Sequence, residues 1–271
     1  EAEACFYQAI ALRPDFAEGH NNLGNTLKEL GKLKEAAASY RQAVAFKPDF
    51  AEALSNLGVA LQELGKLEEA EDSLRQAILL KPDYAKAHSN LGVTLKELGR
   101  LDEAEESYKK AVAFNPDYAK AHCNLGVTLR ELRRLDEAEA SFRQAIELDF
   151  YYAEAHSNLG ITLQELGMLV EAEVSLKQAK ELNPDFAEAH LNLATAKKFS
   201  SHDEQIRSME ALYRDATTSD YDRCLLCFAL AKAFEDLQDF AAAFKFYGEG
   251  NALRKKQLGY IEVQDTNLFQ T

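Results

Sequence analysis

Three groups of residues in this chain have side chains that could do chemistry, and their spacing decides what each can do. Five histidines, His20, His88, His122, His156 and His190, fall on one lattice whose step is 34 residues or twice that. Zinc needs its ligands about 2 Å from one centre. Residues one step apart on stacked helices stand roughly 9–10 Å apart, so the five read as a ladder of packing rings and no metal site is assigned. Cys224 and Cys227 have redox spacing. They sit in an apolar helical stretch with no strand before it, and read as core thiols. Glu68-Glu69 and Glu105-Glu106 are adjacent in sequence. Adjacent residues diverge on a helix, so these pairs form no acid–base dyad and read as solvated faces. No glycine-rich phosphate cradle on a strand-to-helix turn is present. No catalytic residue, metal or cofactor is therefore assigned.

The strictest lattice is polar but not reactive. Asn22, Asn56, Asn90, Asn124, Asn158 and Asn192 repeat without a break, each followed by Leu and usually Gly, as in Asn56-Leu57-Gly58. An Asn side chain offers two donors and an acceptor. A row of them could grip the backbone of an extended peptide whatever its side chains. Each bond would contribute about 0.5–1.5 kcal/mol net, so several must act together. The competing reading is that the amides bond to neighbouring helices and stiffen the stack, or that the copies are recent duplications. One amide can serve both purposes.

These residues must be held by repeated elements. Pro14, Pro48, Pro82, Pro116 and Pro184 share a second lattice, broken only at Phe150. A fixed period of this length signals stacked supersecondary units. Both halves of each copy are rich in Ala, Leu, Glu, Lys and Gln, good helix formers. Gly31, Gly65, Gly99 and Gly167 stand where the first helix must stop, in a left-handed C-terminal position. Arg133 holds that slot in one copy, at a cost of about 1 kcal/mol. Proline ends the second helix, and the Asp after it (Asp49, Asp83, Asp117, Asp185) is expected to cap the next. The predicted fold is all-α, a solenoid of antiparallel helix pairs.

The offsets His88, Leu91-Gly92, Leu95, Ala104, Tyr108, Ala111 and Pro116 resemble the tetratricopeptide repeat over about residues 1–199. His (Leu54 in one copy) stands where the family usually has Trp, and Leu replaces the first aromatic. The resemblance implies a right-handed superhelix whose first helices line a concave groove. Residues 1–16 are expected to be the second helix of a truncated repeat and 17–186 five full repeats. Residues 187–254 are expected to be a divergent repeat with capping helices, its core enriched by Phe228, Phe234, Phe240, Phe244, Phe246 and Tyr247. Residues 255–271 are expected to be a linker or tail. About residues 197–262 also look like the segment joining repeats to a sulfotransferase domain in certain bacterial proteins. That likeness implies an alternative: an accessory region presenting substrates to a transferase domain outside this chain.

Each copy is numbered from Ala17, Ala51, Ala85, Ala119, Ala153 and Ala187. At about 100° per residue, positions four, seven, eight and eleven pack, and positions two, five, six, nine, twelve and thirteen face outward. The candidate peptide-binding residues are the six Asn at position six, with Val59, Val93 and Val127 at position nine as side-chain contacts. Lys86, Lys96, Lys120 and Arg130 form a basic strip that would favour acidic segments. A carboxylate clamp of the kind some chaperone adaptors of this family carry would use Asn21, Asn25, Asn56, Lys86 and Asn90. Two of its cations are missing, which removes most charge-assisted bonding.

Net charge is -14 and pI about 5.0. Such a chain has no general attraction for nucleic acid or anionic lipid, and no apolar run approaches the ~18 residues of a membrane span. The expected partner is a protein or peptide. Four scattered cysteines favour a reducing, cytoplasmic compartment. The chain opens part-way through a unit, which reads as a piece of a longer array. Its uncovered packing face would let copies stack end to end.

Overall fold

The computed structural model describes residues 2–258, and every regular element among them is helical. The chain divides into two compact blocks at Leu148/Asp149. The first holds α1 (Ala2–Leu12), α2 (Ala17–Glu29), α3 (Leu33–Phe46), α4 (Ala51–Glu63), α5 (Leu67–Leu80), α6 (Ala85–Glu97), α7 (Leu101–Phe114), α8 (Ala119–Glu131) and α9 (Leu135–Leu148). The second holds α10 (Ala153–Glu165), α11 (Leu169–Leu182), α12 (Ala187–Ala196), α13 (Glu204–Arg214), α14 (Asp220–Asp236) and α15 (Phe240–Gln257). Within each block consecutive helices pair antiparallel, and each pair packs on the next, as in a solenoid.

In the first block α2, α4, α6 and α8 are the first helices of their pairs and touch in succession. Each ends on a left-handed residue: Gly31, Gly65 and Gly99 at φ 72°, 72° and 75°, and Arg133 at φ 62°. The capping bonds are alike with either residue type. Lys66 N donates to Leu61 O at 2.9 Å, and Arg134 N donates to Leu129 O at 2.9 Å. The pairs close tightly because position eight is glycine. A Cβ on Gly92 would lie 2.7 Å from the Tyr108 ring, closer than real side chains approach. Tyr40, Tyr108 and Phe142 are fully buried on the second helices.

The helix starts differ from expectation. Phe16, Phe50, Tyr84 and Tyr118 are the N-caps, and none makes a side-chain cap bond. Asp49 and Asp83 sit one residue too early. Their carbonyls accept from Ala51 N and Ala85 N, so the chain turns before the carboxylate reaches the helix amides. Phe186 likewise replaces Asp185 as the cap of α12.

In the second block α10 and α11 form a regular pair, with Gly167 at φ 80°. The core of the divergent end gathers Phe199, Ile206, Met209, Leu226, Cys227, Leu230 and Phe246, with Phe234 and Tyr247 packed against it. Phe240 and Phe244 do not join it, being 66% and 80% exposed. They occupy the outer side of α15, one turn apart, while Ala243 and Phe246 take the inner side. Real caps do occur here: Asp203 accepts from Ile206 N and Ser219 from Asp222 N. Helix α15 continues to Gln257, beyond the expected end at 254. The rest of the expected tail, 259–271, lies outside the described residues.

Candidate functional site

Positions two, six, nine and thirteen lie one after another along a helix at steps of four, three and four, and so form a stripe. In the first block that stripe runs along the open side of each first helix, with Lys28, Gln62, Lys96 and Arg130 at position twelve half-buried beside it. Glu18, Glu52, Lys86 and Lys120 at position two are exposed, as are Glu29, Glu63, Glu97 and Glu131 at position thirteen. Asn56, Asn90 and Asn124 at position six, and Val59, Val93 and Val127 at position nine, are half-buried; Asn22 is exposed. The expected residues of the first block therefore share one face. Asn158 and Asn192 hold the same position on α10 and α12 of the second block, also half-buried.

Position five is not part of that face. Asn21, Ser55, Ser89, Cys123 and Ser157 are buried at 3% exposure or less. They lie where one first helix meets the next, and Asn21, Ser55 and Ser157 supply partners to the Asn ladder. Asn90 Nδ2 donates to Ser55 Oγ at 3.3 Å, and Asn192 Nδ2 to Ser157 Oγ at 3.3 Å. Asn56 Nδ2 donates to Asn21 Oδ1 at 3.0 Å and Asn25 Oδ1 at 3.3 Å, and Tyr40 Oη donates to the same Asn25 oxygen at 2.7 Å. Asn56 thus ties Asn21 and Asn25, and three of the five clamp slots are engaged with one another. Asn158 Nδ2 turns to Glu154 O of its own helix at 3.0 Å. Asn124 Nδ2 is buried with no partner.

Asn56, Asn90 and Asn192 thus give their Nδ2 to the preceding first helix. A carboxamide has a second N–H and an oxygen left for other work. The basic strip is also partly committed. Lys96 Nζ reaches Glu131 at 3.3 Å, and Gln62 Nε2 reaches Glu97 at 2.5 Å in the same register one repeat earlier.

The histidines face the other way. His20, His88, His122 and His190 donate from Nε2 to the carbonyls of Pro14, Pro82, Pro116 and Pro184 at 2.8–2.9 Å. His156 does the same to Phe150 O at 3.0 Å. His20 and His88 also stack on Phe46 and Phe114 with centroids 5.4 Å apart. Among the described residues no three His, Cys, Asp or Glu side chains converge on a metal-sized centre. Cys123, Cys224 and Cys227 are buried free thiols. Burial pushes the Cys227 thiol up to about 12, the reverse of a reactive cysteine. Glu105 is not the solvated residue expected. It is 7% exposed and held by Arg134 at 2.7 Å and Lys109 at 2.6 Å. No helix among the described residues is long and apolar enough to cross a membrane.

A cavity of about 290 Å³ opens between α5, α6 and α7, floored by His88, Leu91 and Leu95. An apolar counterpart between α1, α2 and α3 has His20, Leu23 and Leu27 in the same places. The recurrence marks it as the seam between successive second helices, on the side away from the stripe.

Family models described as tetratricopeptide or TPR repeats match residues 5–38, 24–65, 49–115, 83–149 and 123–185. The chain belongs to the tetratricopeptide-repeat family. As a TPR chain it is a stack of helix pairs of the kind that serves as a protein–protein interaction scaffold. Similar solved structures include YrrB, described as a TPR protein with an unusual peptide-binding site, at 26% identity and TM-score 0.53 over 68% of this chain and 95% of that one. A thermophilic TPR protein of Thermus thermophilus matches at 27% identity and TM-score 0.56, over 66% and 98%. The pilF protein of Pseudomonas aeruginosa, at 19% identity and TM-score 0.63 over 83% and 96%, shares the fold. Comparison with curated proteins returned no match.

Proposed function

We propose that this TPR chain is a non-catalytic scaffold that holds an extended peptide across the stripe of α2, α4, α6 and α8. The observation that carries the reading is that open stripe itself. On each of these helices an Asn at position six and, on three of them, a Val at position nine stay half-exposed, while positions three, seven and eleven are closed by packing. The amides would bond the peptide backbone through the groups the stack does not use. The valines would take apolar side chains. The peptide-binding site named for YrrB is consistent with this use of the fold.

The test is a peptide-library selection on the wild-type chain, followed by calorimetric titration of the selected peptides against Asn90→Ala/Asn124→Ala. Two lost backbone bonds of about 0.5–1.5 kcal/mol each predict a complex weaker by about fivefold to 150-fold. A second variant, Val59→Ser/Val93→Ser/Val127→Ser, should weaken capture of peptides with apolar side chains. Unchanged affinity in both variants, with helicity intact, would show that these residues serve the stack alone.

A further inference from the structure

At position two the stripe changes sign half-way along the first block, while position thirteen is Glu on all four helices. On α2 and α4 its exposed ionisable residues are Glu18, Glu29, Glu52 and Glu63. Glu18 is neutralised by Lys47 at 3.0 Å. The other three bear on the polar cluster between these helices, where the Tyr40 hydroxyl is pushed up first by burial and then by Glu63, Glu29 and Glu52. Lys28, half-buried at position twelve, is the cation beside them. On α6 and α8 the exposed residues at position two are Lys86 and Lys120. Of the carboxylates at the far end of this half, Glu131 is paired with Lys96 at 3.3 Å. Glu97 accepts from the neutral Gln62 amide and keeps its charge, so the positive groups of this half lie at the position-two end.

Resting on the peptide-binding reading above, we infer that this face selects an extended segment with basic side chains at one end and acidic side chains at the other. Its length follows from geometry. Helices one repeat apart lie roughly 9–10 Å from each other, and an extended chain rises about 3.3 Å per residue. Each repeat thus passes about three residues, and four first helices pass about ten. Basic groups over α2 and α4 meet Glu29, Glu52 and Glu63, and acidic groups about six residues away meet Lys86 and Lys120. The same charges placed the other way repel, which is how charged surfaces choose partners and register. The net charge of -14 alone would favour a peptide that is basic throughout. Lys86 and Lys120 are what set this face apart from that average.

Four synthetic peptides of equal length, about twelve residues, test the inference: neutral, uniformly basic, uniformly acidic, and basic at one end with acid at the other. Each is titrated by fluorescence anisotropy at low and high salt. The two-signed peptide should bind about tenfold more tightly than the neutral one at low salt, and more tightly than either uniform peptide. The advantage should shrink at high salt. In Lys86→Glu/Lys120→Glu, whose changes lie on the surface, the uniformly basic peptide should become the best ligand. A uniformly basic peptide that equals the two-signed one on the wild type would overturn the inference, because net charge would then govern. So would a neutral peptide that binds as well as the two-signed one, although docking itself would stand. Binding by none of the four would remove the peptide-binding reading together with the inference.

Discussion

A carbonyl oxygen can only accept, so the Nε2 of His20, His88, His122, His156 and His190 carries a proton. Each imidazole pins the chain six residues back, where the preceding helix has ended and proline leaves a carbonyl without a helical partner. Phe150 keeps the device without proline: its carbonyl still accepts, and its ring meets His156 edge-on at 5.6 Å. At His190 Nδ1 is buried without a partner, and burial lowers this imidazole's pKa against the raising effect of the Pro184 bond. The folded state therefore favours neutral His190. Its stabilising share is present above the ordinary value near 6.5 and is lost as pH falls through the depressed one. Urea midpoints across that window should decline for the wild type and more shallowly for His190→Phe, which loses the Pro184 bond equally at every pH. Equal slopes would place the titration elsewhere. The rings were legible in the sequence as packing groups. Their hydrogen bond was not, although the constant six-residue interval from Pro14 to His20, and again from Pro82 to His88, was the signal for it.

Among the elements, the left-handed stop after each first helix was legible because only backbone geometry decides it. Arg133 adopts φ 62° where its counterparts are glycine, and Gln238 does the same at φ 60°. A side chain in that region costs about 1–2 kcal/mol. Arg133→Gly is expected to raise the unfolding free energy by about 1 kcal/mol, seen as a higher denaturant midpoint with an unchanged slope. A loss of stability would mean that the Arg133 side chain contributes more than its backbone costs. The face of the first helices was only partly legible. Helical phase placed positions two, six, nine and thirteen on the open side. It also placed position five there, because the phase of one helix holds no information about the neighbour lying against its edge. Ser55 and Ser89 are buried by α6 and α8, contacts made at one full repeat of sequence separation. The same blindness hid the commitment of Lys96 to Glu131 and of Gln62 to Glu97. Asp49 and Asp83 failed as caps for a local reason: the aromatic residue after each one takes the cap position.

At the scale of the whole molecule, cooperativity is limited by what touches what. Within each block every helix contacts only helices one or two places away along the chain. Cross-links between successive second helices follow the same rule. Arg100 joins Glu71 on α5 to Glu103 on α7 at 2.7 and 2.6 Å, and Arg134 joins Glu105 on α7 to Glu137 on α9 at 2.7 and 2.6 Å. Stability in such an array is close to a sum of repeat terms and nearest-neighbour interfaces. A fault in one pair should therefore weaken its neighbours and fade with distance. Gly92→Ala supplies the fault, since the added Cβ would stand 2.7 Å from the Tyr108 ring and force α6 and α7 apart. Overpacking of this kind costs about 1–3 kcal/mol. Native-state hydrogen exchange should then quicken by about tenfold or more in α5, α6, α7 and α8, while the amides of α13, α14 and α15 keep their wild-type rates. Equal acceleration in α14 and α15 would show that the chain opens as one cooperative body, and the nearest-neighbour account of its stability would fall.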